Sequence, residues 1–158
     1  MNPSQVLFLA FLIGVVTGLR SLTAPAVVAW AAHLNWLNLH NTAFSFMGST
    51  AAVAIFTLLA VAELVTDKLP STPSRLKPPG LIARILLGAF SGACVAVAGA
   101  QSIGLGAVLG VAGGVAGAFA GHEVRARLVK SLKVPDLVIA LLEDATAIAS
   151  GLFIVSRF

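Results

Sequence analysis

The feature that most constrains this chain is a succession of apolar runs, at about residues 4–19, 24–38, 46–66, 81–100, 103–121 and 137–155. Clusters of polar residues, glycine and proline separate them. A helix rises about 1.5 Å per residue and needs about 20 apolar residues to cross a hydrocarbon core of about 30 Å. Runs of this length predict membrane helices, and the composition agrees. Of 158 residues, 58% are hydrophobic and 10% charged, with a mean hydropathy of +0.99, whereas soluble domains are about 25% charged. A water-soluble fold is excluded. The chain has room for about six short helices and no separate soluble domain, so residues 1–158 read as a single all-α, polytopic transmembrane domain.

The first two runs are short and separated only by Arg20-Ser21-Leu22-Thr23, so they form either two thin crossings or a re-entrant hairpin. Thr23 is placed to cap the second helix, with Pro25 in its first turn, where a missing N–H is tolerated. No Lys or Arg precedes Val6–Val16, and this run reads as a retained helix rather than a cleaved leader. Trp30 and Trp36 suit a membrane interface. Under the six-helix reading Arg20, Lys68, Arg75, Lys77, Arg125, Arg127, Lys130 and Lys133 share one face with Arg84 just inside it, while the other face holds Arg157. The positive-inside rule makes the basic face cytoplasmic, in a bacterial inner membrane, with both termini opposite. If the second run does not return, Arg20 moves to the far face. Six helices divide as three plus three, the second half inverted relative to the first, an arrangement common in transporters.

The fifth run carries two glycine tracks at four-residue spacing, Gly106, Gly110, Gly114 and Gly113, Gly117, Gly121. Small residues so spaced form a groove where another helix backbone can come close. The groove serves packing within the bundle or a seam between copies, and a homodimer or higher homo-oligomer is expected. Residues 122–133 place Val124, Leu128 and Leu132 on one stripe amid basic residues. They read as an interfacial amphipathic helix on anionic lipid headgroups. His122-Glu123 begins like a zinc-protease HExxH motif, but position 126 is Ala, so that chemistry is rejected. Cys94 has no partner for a disulfide and reads as a core filler. No nucleophile stands beside an evident base, and neither enzymatic activity, metal, cofactor nor nucleic-acid partner is expected.

The charges inside or beside the apolar runs are the informative ones. Glu63 and Asp67 lie four residues apart, on one helical face, and Glu143-Asp144 fall early in the last helix. Carboxylates at a membrane boundary are costly unless they find cations, protons or donors. Arg20, Arg84 and Arg125 are the candidate counter-ions, and Asp136 after Pro135 could cap the last helix. A salt-bridge network and a ligand or proton site are both open.

Gly18-Leu19-Arg20 with Pro25, Glu63-x-x-x-Asp67-Lys68-x-Pro70, Pro78-Pro79-Gly80, Gly121-His122 with Arg127, Pro135 and Glu143-Asp144 form an ordered set along nearly the whole chain. In this order they resemble the uncharacterised integral membrane family catalogued as domain of unknown function 4126. Where members of that family often have Asn after Gly-Leu and Ala-Gly after the double proline, this chain has Arg20 and Gly80-Leu81. The resemblance implies Arg20, Glu63, Asp67, Lys68, Pro70, His122, Glu143 and Asp144 as the functional set, without an activity. The expected function is a small transporter or channel for a small polar solute or ion. The alternative is a non-transporting scaffold or lipid-binding protein.

Overall fold

A computed structural model describes residues 1–68 and 76–158; Pro70 and Arg75, named above, lie outside the described residues. The described chain is helical: α1 Pro3–Leu19, α2 Thr23–His33, α3 Thr50–Thr66, α4 Pro78–Ala98, α5 Ile103–Leu132 and α6 Asp136–Val155, with one 3-10 turn at Ser45–Gly48 before α3. Three of these, α4, α5 and α6, are long and apolar enough to cross a membrane. Helices α1 and α3 are apolar but 17 residues each, about 25 Å at 1.5 Å per residue. The protein is a helical membrane protein.

The second run becomes shorter than its sequence suggests. Helix α2 stops at His33, where Asn35 takes a positive φ of 60°, a conformation asparagine tolerates better than most residues. Eleven residues span about 16 Å, roughly half the hydrocarbon. The following segment has no α-helix, yet it buries Leu37, Leu39 and Met47 against the core.

Contacts between helices give their directions. Gly18 faces Arg84 and Gly99 faces Val6, so α1 and α4 are antiparallel; Gly14 meets Gly110 and Gly18 meets Gly114, so α1 and α5 run parallel. Ser21 meets Glu63 and Trp30 meets Thr57, making α2 and α3 antiparallel. Helix α6 runs with α2, through Arg20 to Asp144 and Gly151 to Val27. The first two runs therefore form a hairpin, and Arg20 shares one end of the bundle with Lys68, Arg84 and Arg125. Both termini lie at the other end.

Each glycine track of α5 serves a neighbour within the chain. Gly106 and Gly110 lie on the α4 backbone at Gly92 and Gly88, whereas Gly113 and Gly117 lie on α1 at Phe11 and Val15. A Cβ on Gly110 would overlap the Gly88 carbonyl, so the close approach requires glycine there. Two helices can thus lie against α5 within dispersion range, which lipid cannot match.

One element differs outright from its sequence reading. Residues 122–133 are not a separate interfacial helix: α5 continues through them to Leu132. Nothing between Gly121 and Leu132 breaks a helix, and Glu123 pairs with Arg127 one turn on. Helix α5 ends where Lys133 turns left-handed, φ 54°, two residues before Pro135. Its 30 residues cover about 45 Å, so it outruns the hydrocarbon and carries its basic end beyond it.

Candidate functional site

The site is built where α1 breaks. Pro25 has no N–H, and its ring would strike the carbonyl of residue 21 in a continuous helix, so the chain must leave helical geometry by that point. Arg20 takes an extended conformation, φ −139° and ψ 110°, and its side chain turns into the protein with no exposed surface.

Two helices, α3 and α6, bring carboxylates to that guanidinium. Its Nη1 donates to Asp67 Oδ2 just after α3. On α6, Asp144 Oδ1 lies 2.6 Å from Nε and Glu143 Oε2 lies 3.8 Å from Nη2. Lys68 Nζ closes the cluster with 2.5 Å contacts to Asp144 Oδ2 and the Leu64 carbonyl. At the edge, Arg125 of α5 reaches Glu143 at 3.5 Å and holds Asp136 through two bonds of 2.9 and 2.5 Å. Arg20, Lys68 and Arg125 thus face Asp67, Asp136, Glu143 and Asp144, three cations against four carboxylates among the described residues. Pairing is what makes such burial tolerable. It is incomplete in geometry: Nε and Nη2 of Arg20 and Oδ1 of Asp144 are buried without an aligned hydrogen bond.

Glu63 stands in the same region with a different task. Its carboxylate accepts the backbone N–H groups of Ser21 and Leu22 at 2.8 Å each, and the Ser21 hydroxyl. Leu22 is the N-cap of α2 and offers no side-chain acceptor, so a residue of α3 caps α2 and sets a negative charge at its positive end. This replaces the expected cap: Thr23 is already helical, and its buried hydroxyl has no partner among the described residues. Arg84, buried, treats the opposite pole, donating from Nε to the Gly18 carbonyl in the last turn of α1 and from Nη1 to Gly80, both at 3.0 Å. Both facing ends of the broken α1–α2 pair are therefore met by charges of the sign their dipoles favour.

The structure gathers Arg20, Glu63, Asp67, Lys68, Glu143 and Asp144 at one end of the bundle. It leaves His122 exposed on α5, outside the described ion pairs and hydrogen bonds. Asp136 is not the cap of α6; Pro135 holds that position and the Asp136 carboxylate goes to Arg125. Glu143 and Asp144 consequently lie about two turns into α6, inside the bundle. The parts not anticipated from sequence are the Ser21 and Leu22 amides that hold Glu63. Pro25 so soon after Arg20 was the available signal, since a forced break leaves amides that need an acceptor.

Two hydroxyls continue the polar interior away from this end. Thr23 Oγ1 and Ser91 Oγ are both buried without a hydrogen-bond partner among the described residues. Ser91 lies seven residues, two turns, beyond Arg84 on the same face of α4.

No curated protein and no solved structure matches the chain. The family model described as Domain of unknown function (DUF4126) matches residues 7–156, nearly the whole chain and all the charges of the site, and the protein belongs to that family.

Proposed function

We propose that the protein is a small membrane transporter or channel for a small polar solute or ion, with the charged cluster as its binding and gating site. The observation that carries this is Arg20, fully buried at a helix break and paired with carboxylates from two other helices. Ionisable groups in a membrane bundle are costly to keep and mark ion and proton paths. Broken helices whose ends face a site are the usual architecture of such sites. Arg20 is already met by Asp67 and Asp144, which favours a cation or proton over an anion as the species bound. Arg20 acts as a resident counter-ion rather than an anion receptor, and protonation or cation entry at Asp144 would loosen α6 from α1.

The alternating helix directions are those an inverted three-plus-three repeat needs, and they support that reading. Its packing is unequal, however: α1 lies along α5 much more closely than α4 lies along α2. The basic end, with Arg127, Lys130 and Lys133 exposed, is assigned to the cytoplasmic face of a bacterial inner membrane and to anionic headgroups. A homo-oligomer remains part of the proposal, with a seam elsewhere than the glycine tracks, which pack against α1 and α4.

The test is flux into proteoliposomes carrying a pH-sensitive dye or loaded for sodium and potassium uptake. Asp144→Asn should abolish movement of the transported ion while elution volume and melting temperature stay near the parent's. Wild-type flux from both Asp144→Asn and Asp67→Asn would overturn the proposal. The second reading, a non-transporting scaffold, is favoured by the extent of pairing in the cluster. It predicts no flux in any variant and charge effects that act only through folding.

A further inference from the structure

The inner side of the charged cluster carries polar atoms that the protein does not satisfy. Among the described residues, Nε and Nη2 of Arg20, Oδ1 of Asp144 and Oγ1 of Thr23 are all buried without an aligned hydrogen bond. Thr23 is 3% exposed and Asp144 7%. Leaving such groups unpaired costs free energy, and where the protein supplies no partner the usual one is an internal water making about three hydrogen bonds.

Two contacts fix how Thr23 stands to Asp144. Arg20 meets Asp144 and Val27 meets Gly151, pairs with the same offset along the chain, so Thr23, between Arg20 and Val27, is level with Ala147. Thr23 lies four residues before Val27, and Ala147 lies between Asp144 and Gly151 at helical spacing, so both belong to the faces on which α2 and α6 meet. Both are buried, and the side chain level with the hydroxyl is a single methyl. The two helices run parallel with their N-termini at the charged end. Because Cα–Cβ bonds lean toward a helix N-terminus, the Thr23 side chain leans back toward Asp144. One turn, about 5 Å, is the span of two hydrogen bonds through one water.

We propose that Thr23 Oγ1 and Asp144 Oδ1 hold one water between them, and that the species the cluster handles is a proton carried by this water rather than a metal cation. The proton rests on the transport reading above; the water site does not. A water that accepts from the Thr23 hydroxyl and donates to Asp144 keeps one lone pair and one O–H. It takes up a proton on the first, releases one from the second, and is left as it was. Hard cations such as Mg²⁺ take about six oxygen ligands, whereas this spot offers one hydroxyl and a carboxylate already held against Arg20 and Lys68. An anion would face that same carboxylate.

Density maps fine enough to show ordered waters, together with proteoliposome flux, test it on the parent, on Thr23→Ser, which keeps the hydroxyl, and on Thr23→Val, which keeps the shape without it. The parent and Thr23→Ser should show one water within hydrogen-bond distance of both residue 23 and Asp144, and Thr23→Val none. With a melting temperature near the parent's, Thr23→Val should pass protons about three- to tenfold more slowly, the factor one hydrogen bond contributes, while Thr23→Ser keeps the parent's rate. Should Thr23→Val fail to fold, Ala147→Val intrudes from the α6 side with every polar atom intact and should give the same two losses. A well-ordered parent map with no water there overturns the site, whatever the flux. An unchanged proton rate in a folded variant that lacks the water overturns its role, as does sodium or potassium uptake that falls with the hydroxyl. A parent that moves no ion overturns the transport reading and the proton with it, while the maps still decide the water.

Discussion

Helices α1, α4 and α5 meet backbone to backbone across glycines, whereas at one end of the same bundle α1, α3 and α6 meet through buried charges. In lipid there is no hydrophobic force to drive helices together, and the two seams replace it differently. The glycine seam relies on dispersion at close range, which is insensitive to pH and salt and intolerant of a single extra carbon. The ionic seam tolerates distance but needs each buried charge to be matched. A protein that needs one rigid part and one part that can let go would place them as this chain does.

The largest break in the comparison is expected at Gly110. A Cβ there overlaps the Gly88 carbonyl, and Gly14 presses on Gly110 from α1, so neither neighbour can yield without moving a helix. Gly110→Leu should leave no folded, monodisperse protein by gel filtration, and Gly110→Ala should lower the melting temperature strongly. The control is Gly104→Ala on the same helix, where an added Cβ comes no nearer than 3.7 Å to Ser102 Oγ. It should be neutral or stabilising by up to about 1 kcal/mol, the helix propensity gained. Equal losses at positions 104 and 110 would mean that close packing is not what the tracks provide.

At the ionic seam, Arg20→Met removes the cation and leaves Asp67, Asp144 and Glu143 facing one another. Breaking a buried pair on one side costs about 3–5 kcal/mol, read as a loss in thermal or denaturant unfolding in detergent. Adding Asp67→Asn and Asp144→Asn should restore much of it, because the unpaired charge rather than the lost bond carries the cost. A single-variant loss below about 1 kcal/mol would place the cluster in water.

These two seams were not equally legible in the sequence. Gly106, Gly110 and Gly114 announce close packing by spacing alone, though not whether the partner is α1, α4 or a second copy, because spacing describes one surface and not what meets it. The charges were legible as a set: Arg20, Asp67, Lys68 and Asp144 stand out against apolar runs, and burial forces such residues together. Their division of labour was not. Glu63 and Asp67 share a helical face, yet one caps α2 and the other pairs with Arg20, a difference set by where the broken chain leaves its amides. The same holds for Asp136, whose place beside Pro135 suggests a cap until Arg125 comes within reach. The end of α2 at His33 and the run of α5 through 122–132 were illegible for a related reason: apolarity marks depth in a membrane, and helix continuity is decided by local backbone geometry.

Glu63→Gln sharpens the division within the ionic seam. An amide keeps the shape but has one acceptor oxygen and brings N–H donors toward the Ser21 and Leu22 amides. The expected loss is about 1–2 kcal/mol, that of a helix cap, smaller than for Arg20→Met. Flux should fall in proportion to folding and not beyond it, in contrast with Asp144→Asn. A folded Glu63→Gln with no flux would move Glu63 from capping into the proposed binding site.

The smallest effect separates pairing from burial. Arg127 and Glu123 meet at 2.6 Å, one turn apart on α5, with side chains 77% and 58% exposed. The partners are chemically those of the buried cluster, an arginine and a carboxylate, yet solvent can replace either one. Glu123→Ala should therefore change stability by no more than about 0.5 kcal/mol, and by less as salt rises. If it matched Arg20→Met, contact alone would account for the ionic seam; if it falls near zero, the seam owes its energy to the exclusion of water around Arg20.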